Sequence, residues 1–235
     1  MKKIIDNKRW GGWIFRYKVR EREYSNISFL ELVIQYASFN DCKFEQCEFK
    51  NCKFGFNVKY KNCVWINCKF HGRYMSFADD SIFEDCQFIN TTIQSASTDG
   101  MVLRNCSFTG NLNNMIWRGE TFKGSPKMII DNCDFSGSTF SNISIYAGIN
   151  FDNSILPASG IRVFENPGGS FSKALREDSE DLVGDDGLTL QALGNVDCFS
   201  NQDPVIFDQP LLNNMLKSEA SRFAFDTIAG EFEIT

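Results

Sequence analysis

Apolar side chains recur at every fifth position through the stretch 37–70. Phe39, Phe44, Phe49 and Phe54 are evenly spaced, and two places before each stands a small residue: Ala37, Cys42, Cys47 and Cys52. One additional residue then shifts the frame, which resumes at Tyr60, Trp65 and Phe70 behind Val58, Cys63 and Cys68. Neither an α-helix nor a β-strand generates such a period. It demands a chain that turns a corner every five residues. The small residue and the aromatic point inward from one short side, and the other three face solvent or form the bend.

The pattern continues more loosely at Phe83, Phe88, Ile93, Leu103 and Phe108. The strings SIFEDCQF (81–88) and MVLRNCSF (101–108) echo each other, and a further copy, MIIDNCDF (128–135), follows after an inserted loop. Regular spacing returns at Ile130, Phe135 and Phe140 and slips at Ile145, Phe151 and Leu156, while 110–127 reads as a loop or an irregular coil. Self-similarity at a fixed period marks a solenoid. Asn precedes the small residue at Asn51, Asn62, Asn67, Asn105 and Asn132. It tolerates tight bends, so these are expected corners.

The triplets Cys42-Lys43-Phe44, Cys47-Glu48-Phe49, Cys52-Lys53-Phe54, Cys68-Lys69-Phe70, Cys86-Gln87-Phe88, Cys106-Ser107-Phe108 and Cys133-Asp134-Phe135 carry a resemblance to the pentapeptide-repeat family. That resemblance implies an all-β solenoid, a right-handed quadrilateral β-helix, here of about six to seven coils at four fives per coil. The expected organisation is an N-terminal cap strand region over 1–24, the β-helix over 25–157, and a mostly helical extension over 158–235. Within 1–24, Trp10, Trp13, Phe15 and Tyr17 alternate with polar neighbours in a strand-like way, suited to covering an open end. The extension reads as a linker with a short strand at 161–164, then three helices. One runs from Ser170 or Ser172 to Val183, and one covers Leu188–Leu193. The third is capped by Asp208 and carries Leu211, Leu212, Met215, Leu216 and Phe223 on one side.

Eight of the nine cysteines (Cys42, Cys47, Cys52, Cys63, Cys68, Cys86, Cys106 and Cys133) occupy the small inward position, and only Cys198 lies outside it. Such thiols pack as small hydrophobes, and five-residue separations do not make a zinc site. The expectation is therefore no disulfide, no metal, and a reducing, cytoplasmic location. No apolar run is long enough to cross a membrane, and the N-terminus does not read as a secretory signal.

Catalytic chemistry is sparse. The single histidine, His71, has no orienting partner in sequence, and no phosphate-loop, zinc-protease or nucleophile-elbow string occurs. The pairs Asp79-Asp80 and Asp185-Asp186 read as solvated turns. No enzyme, no cofactor and no catalytic residue is expected. A carbohydrate-active β-helix enzyme is the third reading of function.

Charge is polarised along the chain: residues 1–24 are strongly basic, and residues from 177 onward carry acids against only Lys217 and Arg222. The leading reading is a protein-binding protein of immunity type, neutralising a bacterial toxin through its acidic extension. Its expected contact residues are Glu177, Asp178, Glu180, Asp181, Asp185 and Asp186, with Trp10 and Trp13 at the other end. The alternative, implied by the family resemblance, is a DNA gyrase-binding protection protein acting by DNA mimicry. Against it, the outward charges over 41–70 are mostly Lys43, Lys50, Lys53, Lys59, Lys61 and Lys69. A basic, aromatic N-terminal surface is compatible with nucleic acid or an acidic partner, but capping is the favoured role and direct nucleic-acid binding is not expected. The stripe Leu211–Leu216 offers a homodimer contact.

Overall fold

The computed structural model of this chain describes residues 3–6, 9–78, 80–118, 127–146, 149–151, 153–164, 169–179, 184–185, 188–189, 193 and 205–233. Short strands pair in parallel with the strand one turn away, so the chain winds as a four-sided β-solenoid. One side stacks Lys3–Asp6, Arg22–Ser25, Lys43–Glu45 and Val64–Ile66 and continues into the first part of Gln87–Gln94. The next side stacks Arg9–Phe15, Ser28–Gln35, Glu48–Lys50 and Lys69–His71. Single bridges from Val33 through Lys53, Ser76 and Ser97 to Ile116 mark the third. The fourth runs from Lys18–Arg20 through Ser38–Asn40, Lys59–Lys61, Ile82–Glu84 and Val102–Arg104 to Ile129–Asp131. About five complete turns result, with partial turns at both ends. The expected six to seven took twenty residues for every turn, whereas the paired residues Lys59 and Ile82 stand 23 apart and Val102 and Ile129 stand 27 apart.

The five-residue spacing works because the second residue after each inward aromatic adopts a left-handed backbone. Asn51, Asn62, Asn67, Asn105 and Asn132 all have φ between 50 and 54°. Asn reaches this region at less cost than other side-chain-bearing residues. The corner amide then donates to the next turn, as in Asn51 N to His71 O at 2.9 Å and Asn62 N to Glu84 O at 3.0 Å. The extra residue between Phe54 and Tyr60 is absorbed by a corner with two left-handed residues, Phe56 and Asn57.

Inside, the aromatics stack in columns. Tyr24, Phe44, Trp65, Phe88, Phe108 and Phe135 form one, with successive centroids 4.4 to 5.4 Å apart. A second column runs through Phe29, Phe49 and Phe70, and a third through Phe39, Tyr60 and Phe83. The eight repeat cysteines are free and buried. The thiols of Cys47, Cys52, Cys63, Cys68, Cys86 and Cys106 donate to main-chain oxygens of the preceding turn, for example Cys63 Sγ to Phe39 O and Cys52 Sγ to Phe29 O, each at 3.4 Å.

The N-terminal segment, expected as a cap strand region over 1–24, is paired with the winding. Arg9–Phe15 pairs in parallel with Ser28–Gln35, and Lys18–Arg20 with Ser38–Asn40. In the region 110–127, Ser107–Arg118 is a continuous strand spanning a corner, paired to Asp134–Tyr146, and the remainder of that region, 119–126, lies outside the described residues.

Beyond the solenoid, the strand Ile161–Phe164 pairs antiparallel with Val205–Asp208. The helix Ser170–Asp178 is shorter than the expected one ending at Val183, and Leu188, Thr189 and Leu193 are helical where a second helix is expected. The expected third helix is two: Gln209–Met215 and Glu219–Ala229. Ser218 breaks it, its Oγ accepting a hydrogen bond from Ser221 N at 2.9 Å as a new N-cap. The frame restarts there, so Phe225 and Ile228 are buried and Phe223 stands 78% exposed. Leu212 and Leu216 are buried in the extension's own core with Phe164, Phe171 and Phe225, which removes them as a contact for a second copy. Ile206, Ile161 and Val163 join the extension to the solenoid core.

Candidate protein-binding surfaces

Two voids described within the solenoid interior are about 20 Å³ each and are walled by the stacked rings. Volumes of that size accommodate at most a water molecule. All the expected core residues (Phe39, Phe44, Phe49, Phe54, Trp65, Phe70, Phe88, Phe108, Phe135 and the repeat cysteines) are buried. Chemistry available to other molecules is therefore confined to the outside.

His71 sits at a strand end, with Nε2 2.9 Å from Glu48 Oε1, and Glu48 also accepts from Ser28 Oγ at 3.1 Å. The His71 hydrogen bond holds the Glu48 carboxyl below its ordinary value. This trio is a surface cross-link between turns. On the fourth side Glu84 meets Lys59 and Lys61 at 2.5 and 2.9 Å, and Lys61 also approaches Asp85 at 3.7 Å.

The expected contact residues fall on two separate surfaces. Glu177 is exposed on the helix Ser170–Asp178, within 3.5 Å of Lys173, and Asp185 is exposed beyond it. Asp178 ends that helix, and Glu180, Asp181 and Asp186 lie outside the described residues. Two further acids of the extension are engaged internally. Arg162 donates to Glu233 at 2.8 and 2.7 Å and to Asp226 at 2.6 Å, with its guanidinium over the Phe164 and Phe225 rings. The acidic segment is thus in part a structural clamp. Trp10 and Trp13 belong to the N-terminal turn, at the far end of the solenoid; about five turns at ~4.8 Å each separate them from the extension. Trp10 is half-buried, edge-on to Tyr24 and Phe29, whereas Trp13 is exposed.

Sequence reasoning placed Trp13 and Phe15 in a basic, aromatic segment but missed Tyr36 and Phe56 beside them. Phe15, Tyr36 and Phe56 are exposed and line up on consecutive turns, edge-to-face, at 5.6 and 5.2 Å between centroids. Arg16 lies over Phe15 at 5.1 Å. The available signal was an aromatic at the corner position, where the other turns commonly place Asn.

These features define a parallel, four-sided β-solenoid with decorated flanks and an α/β extension. The family model described as right-handed β-helix region matches residues 22–148, and the chain belongs to that family. It is similar to the solved structure of a trypsin-treated variant of QnrB1, described as a plasmid-mediated fluoroquinolone resistance protein. That match has 18% identity and TM-score 0.33, covering 68% of this chain and 86% of that one. It is also similar to the Azotobacter vinelandii mannuronan C-5 epimerase AlgE4 A-module, at 13% identity and TM-score 0.25, over 62% and 53% of the respective chains. A pentapeptide repeat protein, Rfr23, from the cyanobacterium Cyanothece 51142 matches at 10% identity and TM-score 0.17, over 61% and 90%. No curated protein matches the chain.

Proposed function

We propose that this chain is a non-catalytic pentapeptide-repeat solenoid that acts by binding another protein on its outer surface. The observation that carries this reading is the filled interior: stacked rings leave no room for a substrate, and His71 is engaged by Glu48. The first partner to test is a type II topoisomerase, following from the five-residue repeat and its resemblance to gyrase-protecting proteins. Protection here would come from occupying the enzyme. Copying the charge of DNA is poorly served by a flank that carries Lys43, Lys50, Lys53, Lys59 and Lys69.

A second reading, neutralisation of a toxin, is favoured by the exposed acids Glu177 and Asp185 on the extension. Gyrase supercoiling assays with and without a fluoroquinolone separate the two. Rescue of supercoiling by the purified full chain supports the topoisomerase reading. No rescue, together with co-purification of a small protein whose toxicity the chain suppresses, supports the other. Turnover of a polysaccharide by the purified chain overturns both.

A further inference from the structure

We propose that the corner strip formed by Trp13, Phe15, Tyr36 and Phe56 is a docking surface for an acidic protein segment bearing apolar side chains. The inference deepens the protein-binding reading, on which it rests. Its first support is backbone conformation. Tyr36 and Phe56 have φ of 50 and 68°, and among the described residues they are the only aromatics at such corners, which elsewhere take Asn, Asp or a charged or polar side chain such as Arg16, Glu21, Glu31 and Gln46. A bulky aromatic is a poor choice for a left-handed corner, and strained residues of this kind mark function. Both rings point to solvent, 43% and 47% exposed, with Phe15 at 51% and Trp13 at 72%. The fold gains no buried core from them.

The second support is charge. Residues 13–20, 33–40 and 53–61, which build these three turns along the strip, contain Arg16, Lys18, Arg20, Lys53, Lys59 and Lys61 and no Asp or Glu. Lys59 and Lys61 are ion-paired with Glu84. Lys18, Arg20 and Lys53 are exposed and have no carboxylate partner among the described residues. Cross-strand register places Trp13, Val33 and Lys53 in one column and Lys18, Ser38 and Lys59 in another, so the cations flank the rings. The strip opens at the N-terminal turn into a recess of about 640 Å³ bordered by Trp10, Trp13, Phe15, Tyr17, Lys18 and Arg22. A pocket of aromatics rimmed by cations suits an apolar anchor between carboxylates.

Ring geometry favours a protein over a single-stranded nucleic acid. Bases bind by lying on free ring faces. Here Phe15, Tyr36 and Phe56 lean edge-to-face on one another, and the Phe15 face carries Arg16. The edges left outside suit aliphatic and aromatic side chains.

The test uses the full chain and a fluorescein-labelled synthetic 15-residue peptide of repeating Glu-Leu-Asp. Comparators are its Gln-Leu-Asn analogue, an oligo-dT of equal length, and sedimentation of the protein alone. The key variant is Tyr36→Asn/Phe56→Asn, because Asn suits both corners and the fold should melt no lower. Expected results are binding of the acidic peptide that weakens with salt and loses at least about tenfold in affinity in that variant and in Lys18→Glu/Arg20→Glu. Undiminished binding by the variants, tighter binding of oligo-dT, equal binding of the neutral analogue, or concentration-dependent self-association through the strip overturns it. If the variant captures the functional partner as well as the wild type, the strip is refuted while the protein-binding reading stands.

Discussion

The ring of Phe70 lies 4.6 Å from that of Phe49, in the next turn, with planes 7° apart, and Phe29 lies 4.7 Å away on the other side. Each ring is therefore a partner for two turns at once. Phe49→Ala leaves a gap in the middle of the column, which such truncations make cost about 3–5 kcal/mol. Because neighbouring turns supply each other's packing surface, the loss spreads along the solenoid. Urea unfolding followed by far-UV circular dichroism should show a lower midpoint. Hydrogen exchange should show lost protection over 24–75 before 128–146. Loss confined to one turn would refute coupling through the stack.

Tyr60 replaces Phe in an otherwise apolar column between Phe39 and Phe83, and its Oη finds no hydrogen-bond partner among the described residues. Burial pushes its hydroxyl well above the ordinary tyrosine value. An unsatisfied buried donor costs about 1–3 kcal/mol. Tyr60→Phe keeps the ring and removes the hydroxyl, so the thermal midpoint should rise. A fall would show that the hydroxyl has a partner.

At the corner, Asn62 has φ 51° and its Nδ2 donates to Asp41 Oδ1 at 3.1 Å. Asn62→Ala keeps the Cβ, whose left-handed cost is roughly 1–2 kcal/mol, and loses the polar side chain that offsets it. Asn62→Gly removes the strain and the hydrogen bond together, so it isolates the smaller contribution of the exposed bond. Chemical denaturation should rank wild type and Gly close together with Ala clearly below. Equal destabilisation by Ala and Gly would assign the role to the Asp41 contact.

What was legible in the sequence follows from periodicity. Phe39, Phe44 and Phe49 repeat because a four-sided coil repeats, and the corner role of Asn62 and Asn105 was visible in their constant offset from the aromatic. Where the frame slips, physical context decides. Phe56 and Asn57 share one corner, and the chain breaks at Ser218, rotating Phe223 outward and Phe225 inward. Neither event has a period to announce it. The Arg162 clamp joins residues far apart in sequence, so its partners Asp226 and Glu233 read only as members of an acidic run. Tyr36 was hidden for a different reason: in a phenylalanine-rich chain one more aromatic looks like core until its place in the five is counted.

Glu84 supplies a pH-dependent contribution to stability. Hydrogen bonds from Lys59, then Lys61, hold its carboxyl down at about 2 from an ordinary 4.5. A carboxylate depressed on folding stabilises the protein fully above its unfolded value and loses that contribution as pH falls through the folded one. The window is thus from 4.5 down to about 2. The group lies at the surface, so solvent screens it and the effect is small and salt-sensitive. Other carboxylates titrate in the same range, and the comparison with Glu84→Gln cancels them. The denaturation midpoint of wild type should exceed that of Glu84→Gln near neutral pH, and the gap should close as pH falls through the window. Added salt should narrow it at neutral pH. A gap constant with pH would mean that Glu84 acts through packing against the fourth side, with the lysine charges contributing nothing.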